Sequence, residues 1–285
     1  MSTQEEPHAD RVRQLEARLE ATESKLAALE QTRAVRWAGA AYGLYRKVRG
    51  ARAFVERRAF DRRRTKLASR YLRGEGLEIG ALHQPLRLPD GARARYVDRM
   101  STEDLREHYP ELAAHPFTEP DVIDDGETLA SVPAGSVDFV IANHFIEHCQ
   151  DPISAIRNHL RVLRPGGILY MAVPDKREIF DRDRPLTSLD HLVRDHTEGP
   201  EWSRRSHFEE YAALVDKAQD VEAHADVLME RDYSIHFHVW TPESFRRFLE
   251  HCRSELALPF AIEDFERNGF EFIAILRKLN GTARG

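Results

Sequence analysis

"VDFVIANHFIEHCQDPISAIRNHLRVLRPGGILYMAVP", residues 137–174, reads as strand, helix, strand. Val137–Ala142 and Gly167–Pro174 are short and largely apolar, the composition of strands covered on both faces. Between them Asp151 can cap a helix and Pro152 suits its first position. Ile153, Ile156, Leu160 and Leu163 then recur at helical spacing. The helix is expected to stop at Arg164-Pro165-Gly166-Gly167. Strand, helix and strand in this order make a right-handed crossover in a parallel sheet.

Working outward, "LEIG" (77–80) and "ARYVD" (94–98) have the same strand character. Near the end, "FAIEDFERNGFEFIAILRK" (260–278) reads as two strands joined by a tight Asn268-Gly269 turn. The expected fold is α/β: a Rossmann-like, doubly wound, mostly parallel sheet with an antiparallel final strand. In such a sheet ligands bind beyond the carboxyl ends of the strands. Gly80 ends the first of these strands, where absence of a side chain lets a ligand approach the backbone. Asp98 ends the second, where an acid can accept both hydroxyls of a ribose. Asp124-Asp125-Gly126 follows a third strand region, where a carboxylate can accept from an exocyclic amine. Asn143 follows the fourth.

Taken together, "LEIGA…YVDR…IDDGETLASVPAGSVDFVIANHFIEHCQDPISAIRNHLRVLRPGGILYMAVPD" resembles a class I S-adenosylmethionine-dependent methyltransferase, over roughly Leu67 to Lys278. The resemblance implies a seven-stranded sheet and S-adenosyl-L-methionine as cofactor. It implies that Glu78 and Gly80, with the adjacent Ala81, line the methionine and ribose part. Asp98 would bind the ribose, Asp125 with Gly126 the adenine, and Asn143 the methionine moiety. One departure stands out. The family loop runs acid-x-Gly-x-Gly-x-Gly, whereas this chain reads Glu-Ile-Gly-Ala-Leu-His-Gln-Pro and keeps only the first glycine. A dinucleotide-binding domain fits less well, because a pyrophosphate needs those glycines.

His144-Phe145-Ile146-Glu147-His148 also matches the H-x-x-E-H pattern of some zinc proteases. That chemistry needs both histidines on one face of a continuous helix. Here they follow a strand directly, and helix signals begin only at Asp151, so a loop or single turn is expected. Glu147-His148 resembles the Glu-His found after strand four in small-molecule O-methyltransferases. His148 is then the first choice for the general base that takes a hydroxyl proton.

Strand five leads into an insertion at about 176–240 that is rich in Asp, Arg and His and suits a polar, many-hydroxyl acceptor such as a sugar. Asp175, Lys176, Arg177, Asp181, His191, Asp195, His236 and His238 are its candidates, with Asp175 and His238 joined to His148 as catalytic residues. Asp and His could hold Mg²⁺, but no defined ligand spacing supports a divalent metal. The stretch resembles methyltransferases of bacterial glycan and lipopolysaccharide synthesis. Expected is O-methylation of a saccharide or glycolipid precursor. The alternatives are a quinone, phenol or other natural product as acceptor, or a scaffold that has lost catalysis.

The methyltransferase domain is expected over 51–285, preceded by an extension over 1–50. Val12, Leu15, Leu19, Leu26 and Leu29 form a heptad seam, weakened by Thr22, that reads as a short coiled coil joining copies of the chain or a glycan-assembly partner. From Arg46 to Arg73 twelve Lys/Arg stand against two acids. This basic stretch, with its aromatics, either touches an anionic membrane surface or packs on the main domain. A net charge of −6 argues against a nucleic-acid partner. Cys149 and Cys252 form no paired motif, so neither a disulfide framework nor a cysteine zinc site is expected. Lack of a signal segment or an apolar run of membrane length makes the expected location cytoplasmic, with peripheral contact at the inner membrane face.

Overall fold

A computed structural model describes residues 60–112 and 114–280, together with Arg18 and Leu19. Apart from Leu19, the heptad seam and the first part of the basic stretch lie outside the described residues. Contacts divide the chain at Ala59/Phe60, and the second unit, Phe60–Gly285, holds the sheet and the helices that cover it.

Among the described residues seven strands form one sheet: β1 (Gly74–Ile79), β2 (Ala92–Asp98), β3 (Val122–Ile123), β4 (Val137–Asn143), β5 (Leu163–Pro174), β6 (Phe260–Asn268) and β7 (Glu271–Lys278). Their order is β3-β2-β1-β4-β5-β7-β6. β1 to β5 pair in parallel, and β7 runs against both neighbours, β5 and β6. The expected mostly parallel sheet with a reversed final strand is what the chain adopts. Alternation along the central strands sends side chains to two separate cores. Val140, Ala142, Leu169, Met171, Ala274 and Leu276 join one, and Phe139, Ile141, Ile168, Tyr170, Ile273 and Ile275 the other. Both faces are covered, which explains why these strands read as continuous apolar runs rather than alternating ones. Gly76 makes room between strands: a Cβ there would come within 2.2 Å of the Phe139 ring.

Helix α1 (60–71) covers the second face with Leu67 and Ala68, and Leu72 follows it into that core. It is fastened at the start of β7 by Arg64, whose Nε donates to Glu271 at 2.9 Å. This half of the basic stretch therefore packs on the main domain. α2 (Thr102–His108) follows β2. α3 (Pro152–Val162) is the crossover helix, capped by Asp151, whose carboxylate accepts from the Ser154 amide at 2.9 Å. The helix is shorter at its end than the sequence suggests. Leu163 is already extended (φ −68°, ψ 141°) and pairs with Val137 as the first residue of β5. Its apolar side chain fits a strand as well as a helix face, so periodicity alone could not separate them.

The hairpin is likewise shifted by one residue. Asn268 pairs with Glu271, leaving Gly269 and Phe270 as the turn, with Gly269 at φ 65°. The positive φ falls on the first turn residue, which glycine accepts freely.

The insertion carries α4 (Leu189–Glu198), α5 (Glu201–Leu214) and α6 (Val221–Glu230), and a parallel bridge from Asp175 to Trp240 closes it. Phe208, Tyr211, Ala212, Ala225, Leu228, Ile235 and Phe237 give it a small core of its own. α7 (Pro242–Ser254) then lays Phe245, Phe248 and Leu249 on the main core. No described helix is long and apolar enough to cross a membrane.

Candidate active site

At the carboxyl ends of β1, β2 and β4 lies a cavity of about 630 Å³, within the range of small-molecule and cofactor sites. Gly80, Asp98, Asp125, Gly126, His148 and His236 all line it, so six of the sequence-predicted residues meet there. Gly80 continues β1 through its amide, which donates to the Val97 carbonyl at 2.9 Å. A Cβ at Gly80 would meet only the Phe145 ring, at 3.9 Å. The space beside it is open to a ligand. Asp98 closes β2, one carboxylate oxygen accepting from the Arg99 amide at 2.8 Å. Burial raises its pKa, and the Arg99 and Met100 amides work against that rise.

The turn after β3 is built from its own carboxylates. Asp124 accepts from the Ser131 amide and hydroxyl at 2.8 and 2.6 Å, and Asp125 accepts from the Glu127 amide at 2.7 Å. Gly126 sits against the cavity wall, where a Cβ would fall 2.5 Å from Ile79 and 2.7 Å from Phe145. His159, on α3, donates from Nε2 to the Gly126 carbonyl at 2.8 Å and fixes this turn from below.

Other predicted residues lie elsewhere. Glu78 is 1% exposed and holds the Leu86 amide at 2.8 Å, so it fastens the loop after β1 from beneath. Burial pushes its carboxyl up to about 7. Ala81 is half-buried next to Gly80 but outside the cavity lining. Asn143 also stays out of the lining; its Oδ1 accepts from the Ala172 amide at 3.2 Å. Asp175 is fully buried in an ion-pair cluster with Arg177 (2.7 Å) and Arg267 (3.1 Å). His238, also fully buried, lies behind the cavity wall beside Asp195. Glu78, Asn143, Asp175 and His238 are placed to shape the wall rather than to touch a ligand within it.

The loop after β1 turns through the left-handed region at a residue that is not glycine. Leu82, at the second glycine position, has φ 47°, the left-handed conformation glycine would adopt freely. Holding a leucine there is unfavourable by roughly 1–2 kcal/mol.

His144 and His148 do not form a zinc pair. His144, at φ 49°, turns to Glu271, with Nε2 2.7 Å from Oε2. His148 closes a single 3₁₀ turn (Ile146–His148) and places Nδ1 2.8 Å from the Ile235 carbonyl. That contact makes Nδ1 the donor and leaves the Nε2 lone pair free. Burial pushes the His148 pKa down to about 3. Packed against it edge-on, centroids 4.7 Å apart, is His236. Its Nδ1 lies 2.6 Å from Asp181, which also holds Arg184 at 2.8 Å. Burial raises the Asp181 carboxyl, but the hydrogen bonds and charges of His236 and Arg184 outweigh it and leave it below its ordinary value.

Sequence reading missed Glu127, Phe145, Phe180, Tyr211, Asp232 and Tyr233, which also line the cavity. Phe180, Tyr211, Asp232 and Tyr233 come from the insertion, whose helices carry no spacing that announces which face meets the cavity.

The donor set suits an adenosyl sulfonium. Two acidic strand ends and an open glycine backbone meet in one cleft, without the glycine-rich turn a pyrophosphate needs. A family model described as "Methyltransferase domain" matches residues 51–252. A search of curated proteins found no match. Among solved structures, one similar protein is a Bordetella parapertussis protein described as a possible exported protein. It is 17% identical with TM-score 0.40, covering 78% of this chain and 66% of that one. Another is an Aquifex aeolicus SAM-dependent methyltransferase (13%, TM-score 0.42, 75% and 87%). A third is a Methanosarcina mazei SAM-dependent methyltransferase (18%, TM-score 0.41, 74% and 96%). Family membership rests on the model match, which spans well over half of the sequence. The chain belongs to the methyltransferase-domain family and is an S-adenosylmethionine-dependent methyltransferase.

Proposed function

We propose that this enzyme methylates a hydroxyl of a saccharide or glycolipid precursor, and that His236, held by Asp181, takes the proton. The observation that carries this reading is one cavity with two kinds of polar lining. The strand-end acids Asp98 and Asp125 suit the donor, and His148, His236, Ser234 and Tyr233 line the same space as partners for an acceptor. Polar groups interleaved with the Phe180 and Tyr211 rings suit a sugar, whose hydroxyls need partners and whose ring faces stack on aromatics.

The cofactor supplies an activated methyl group. Asp98 would accept from its ribose hydroxyls, and Asp125 from its adenine amine. The protein must also hold the acceptor oxygen in line with the transferring carbon, a positional effect worth several orders of magnitude in rate. As the new bond forms, the hydroxyl proton needs a base. His236 is better arranged for this than His148. Asp181 on Nδ1 fixes the tautomer, leaves Nε2 as acceptor and stabilises the imidazolium that forms. His148 is desolvated and a weak proton acceptor, and it serves as the neighbour that orients His236.

The aromatic share of the lining favours one other acceptor class, a phenol or quinol. Incubating the full chain with methyl-labelled donor and fractionated cell glycans and lipids separates the two. Label recovered in a methoxy sugar supports the proposal. Label confined to aromatic products overturns it, and so does no transfer to any glycan fraction by protein that binds S-adenosylhomocysteine.

A further inference from the structure

Behind the cavity wall, four potential metal ligands converge from three segments. His191 and Asp195 sit one turn apart on α4, His207 projects from α5, and His238 ends the extended segment that returns from α6. One ligand atom from each lies within 4.8 Å of all the others. We propose that His191, Asp195, His207 and His238 form a tetrahedral zinc site that clamps the insertion onto the wall of the methyl-transfer cavity.

The spacing suits zinc. Zinc bonds of ~2.0–2.1 Å at tetrahedral angles put neighbouring donor atoms about 3.3 Å apart. His191 Nε2 lies 3.0 Å from His207 Nε2 and 3.2 Å from Asp195 Oδ2, and His238 Nε2 lies 3.5 Å from the same carboxylate oxygen. Three edges of the polyhedron thus have the right length.

The buried groups themselves call for a cation. Asp195 is 0% exposed, and its Oδ2 has no hydrogen-bond partner among the described residues, although two histidine nitrogens stand near it. Leaving a buried carboxylate oxygen unsatisfied is strongly unfavourable, whereas a divalent cation would satisfy it and the imidazoles together. The other carboxylate oxygen, Oδ1, is already occupied: Ser203 Oγ donates to it at 2.8 Å. An outer hydrogen bond of that kind holds a ligating carboxylate in position.

Three imidazoles and one carboxylate select zinc over magnesium or calcium, which prefer all-oxygen shells. His191 keeps 22% side-chain exposure, giving the ion a way in.

The consequence concerns the cavity. His238 follows His236 and Phe237, both of which line it, and the Phe237 and His238 amides donate to the Glu147 carbonyl at 2.8 and 3.2 Å. A metal joining α4, α5 and His238 would set the position of His236 without touching the acceptor.

Full-length protein stripped with chelator and titrated with zinc against a chromophoric competitor should bind one ion per chain, raising the thermal midpoint. Cobalt(II) should give the intense visible absorption of a tetrahedral site. His191→Ala, at the exposed edge, and Asp195→Asn should each weaken zinc binding by ~10²-fold or more. His191→Ala should still bind S-adenosylhomocysteine, since none of the four ligands lines the cavity. Failure of the folded full chain to take up zinc or cobalt stoichiometrically would overturn the site. A weak, octahedral cobalt spectrum or wild-type zinc affinity in both variants would also overturn it. Should the variants not fold, the stoichiometry and spectrum of the unaltered chain decide.

Discussion

At the scale of single residues, two positions separate ligand recognition from packing. Asp98 sits at the β2 end with one oxygen committed to the Arg99 amide and its carboxylate facing the cavity. Asp98→Ala should weaken S-adenosylhomocysteine binding about tenfold to a hundredfold, the loss of one or two charge-assisted hydrogen bonds. Calorimetry would show this, and an unchanged affinity would remove Asp98 from the site. Gly126 behaves differently. Its added Cβ would fall 2.5 Å from Ile79 and 2.7 Å from the Phe145 ring. Gly126→Ala should therefore lower stability, by roughly 1–3 kcal/mol in denaturant unfolding, because the wall must shift to admit a methyl group. The two histidines give a kinetic contrast. His236→Ala should reduce turnover by ~10²-fold or more, the usual worth of a positioned base. His148→Gln, which can still donate to the Ile235 carbonyl, should cost much less, and the reverse ranking would transfer the base to His148.

At the scale of elements, the sheet was readable because its strands are buried on both sides and the crossover helix announces its start with Asp151-Pro152. The strand-end acids were readable for the same reason: each closes an apolar run. Less readable were boundaries set by pairing, such as Leu163 joining β5 and the hairpin turn at Gly269-Phe270. Fold-distant partners were invisible. Nothing near His236 in the sequence indicates Asp181, fifty-five residues away, and His207 shows no spacing to His238. The tie between α1 and β7 is of this kind. Arg64 keeps only 13% side-chain exposure and meets fully buried Glu271, which also accepts from Asn268 at 2.7 Å and faces His144. Burial raises the Glu271 carboxyl, and the hydrogen bonds of Arg64 and His144 more than reverse it. Arg64→Met should destabilise the domain by about 3 kcal/mol or more, since it strands a buried carboxylate. Arg64→Met with Glu271→Met should recover much of that loss in urea unfolding. A double variant as unstable as the single one would show that packing rather than charge sets the cost.

At the scale of the whole molecule, buried titratable groups of opposite sense shape stability against pH. Burial pushes His148 down to about 3 and His159 to about 4, so both stay neutral in the fold. The unfolded chain protonates them near pH ~6.5. Their contribution is complete above that value and is lost progressively as pH falls toward the folded pKa values. Glu78 and Glu127, each raised to about 7 chiefly by burial, act in the other direction. They hold protons in the fold that the unfolded chain releases from ~4.3 upward. That contribution is complete below the unfolded value and gone once pH passes the folded one. Between about pH 4.5 and 6.5 the two sets oppose each other, His207 and His238 adding to the histidines, and Glu147 and Asp98, both raised by burial, to the glutamates. Unfolding free energy should therefore change little across that window. Below it the glutamate contribution is constant while the histidines continue to favour the protonated, unfolded chain, so stability should fall steeply. Asp181 and Glu271, both depressed, add to the fall as they take up protons. Urea unfolding at several pH values tests this shape. His159→Gln, which retains a donor for the Gly126 carbonyl, should flatten the acid limb by up to about 3 kcal/mol, because burial holds the His159 imidazole down to about 4. A steady decline beginning near pH ~6.5 would mean that the two glutamates do not hold their protons in the folded protein.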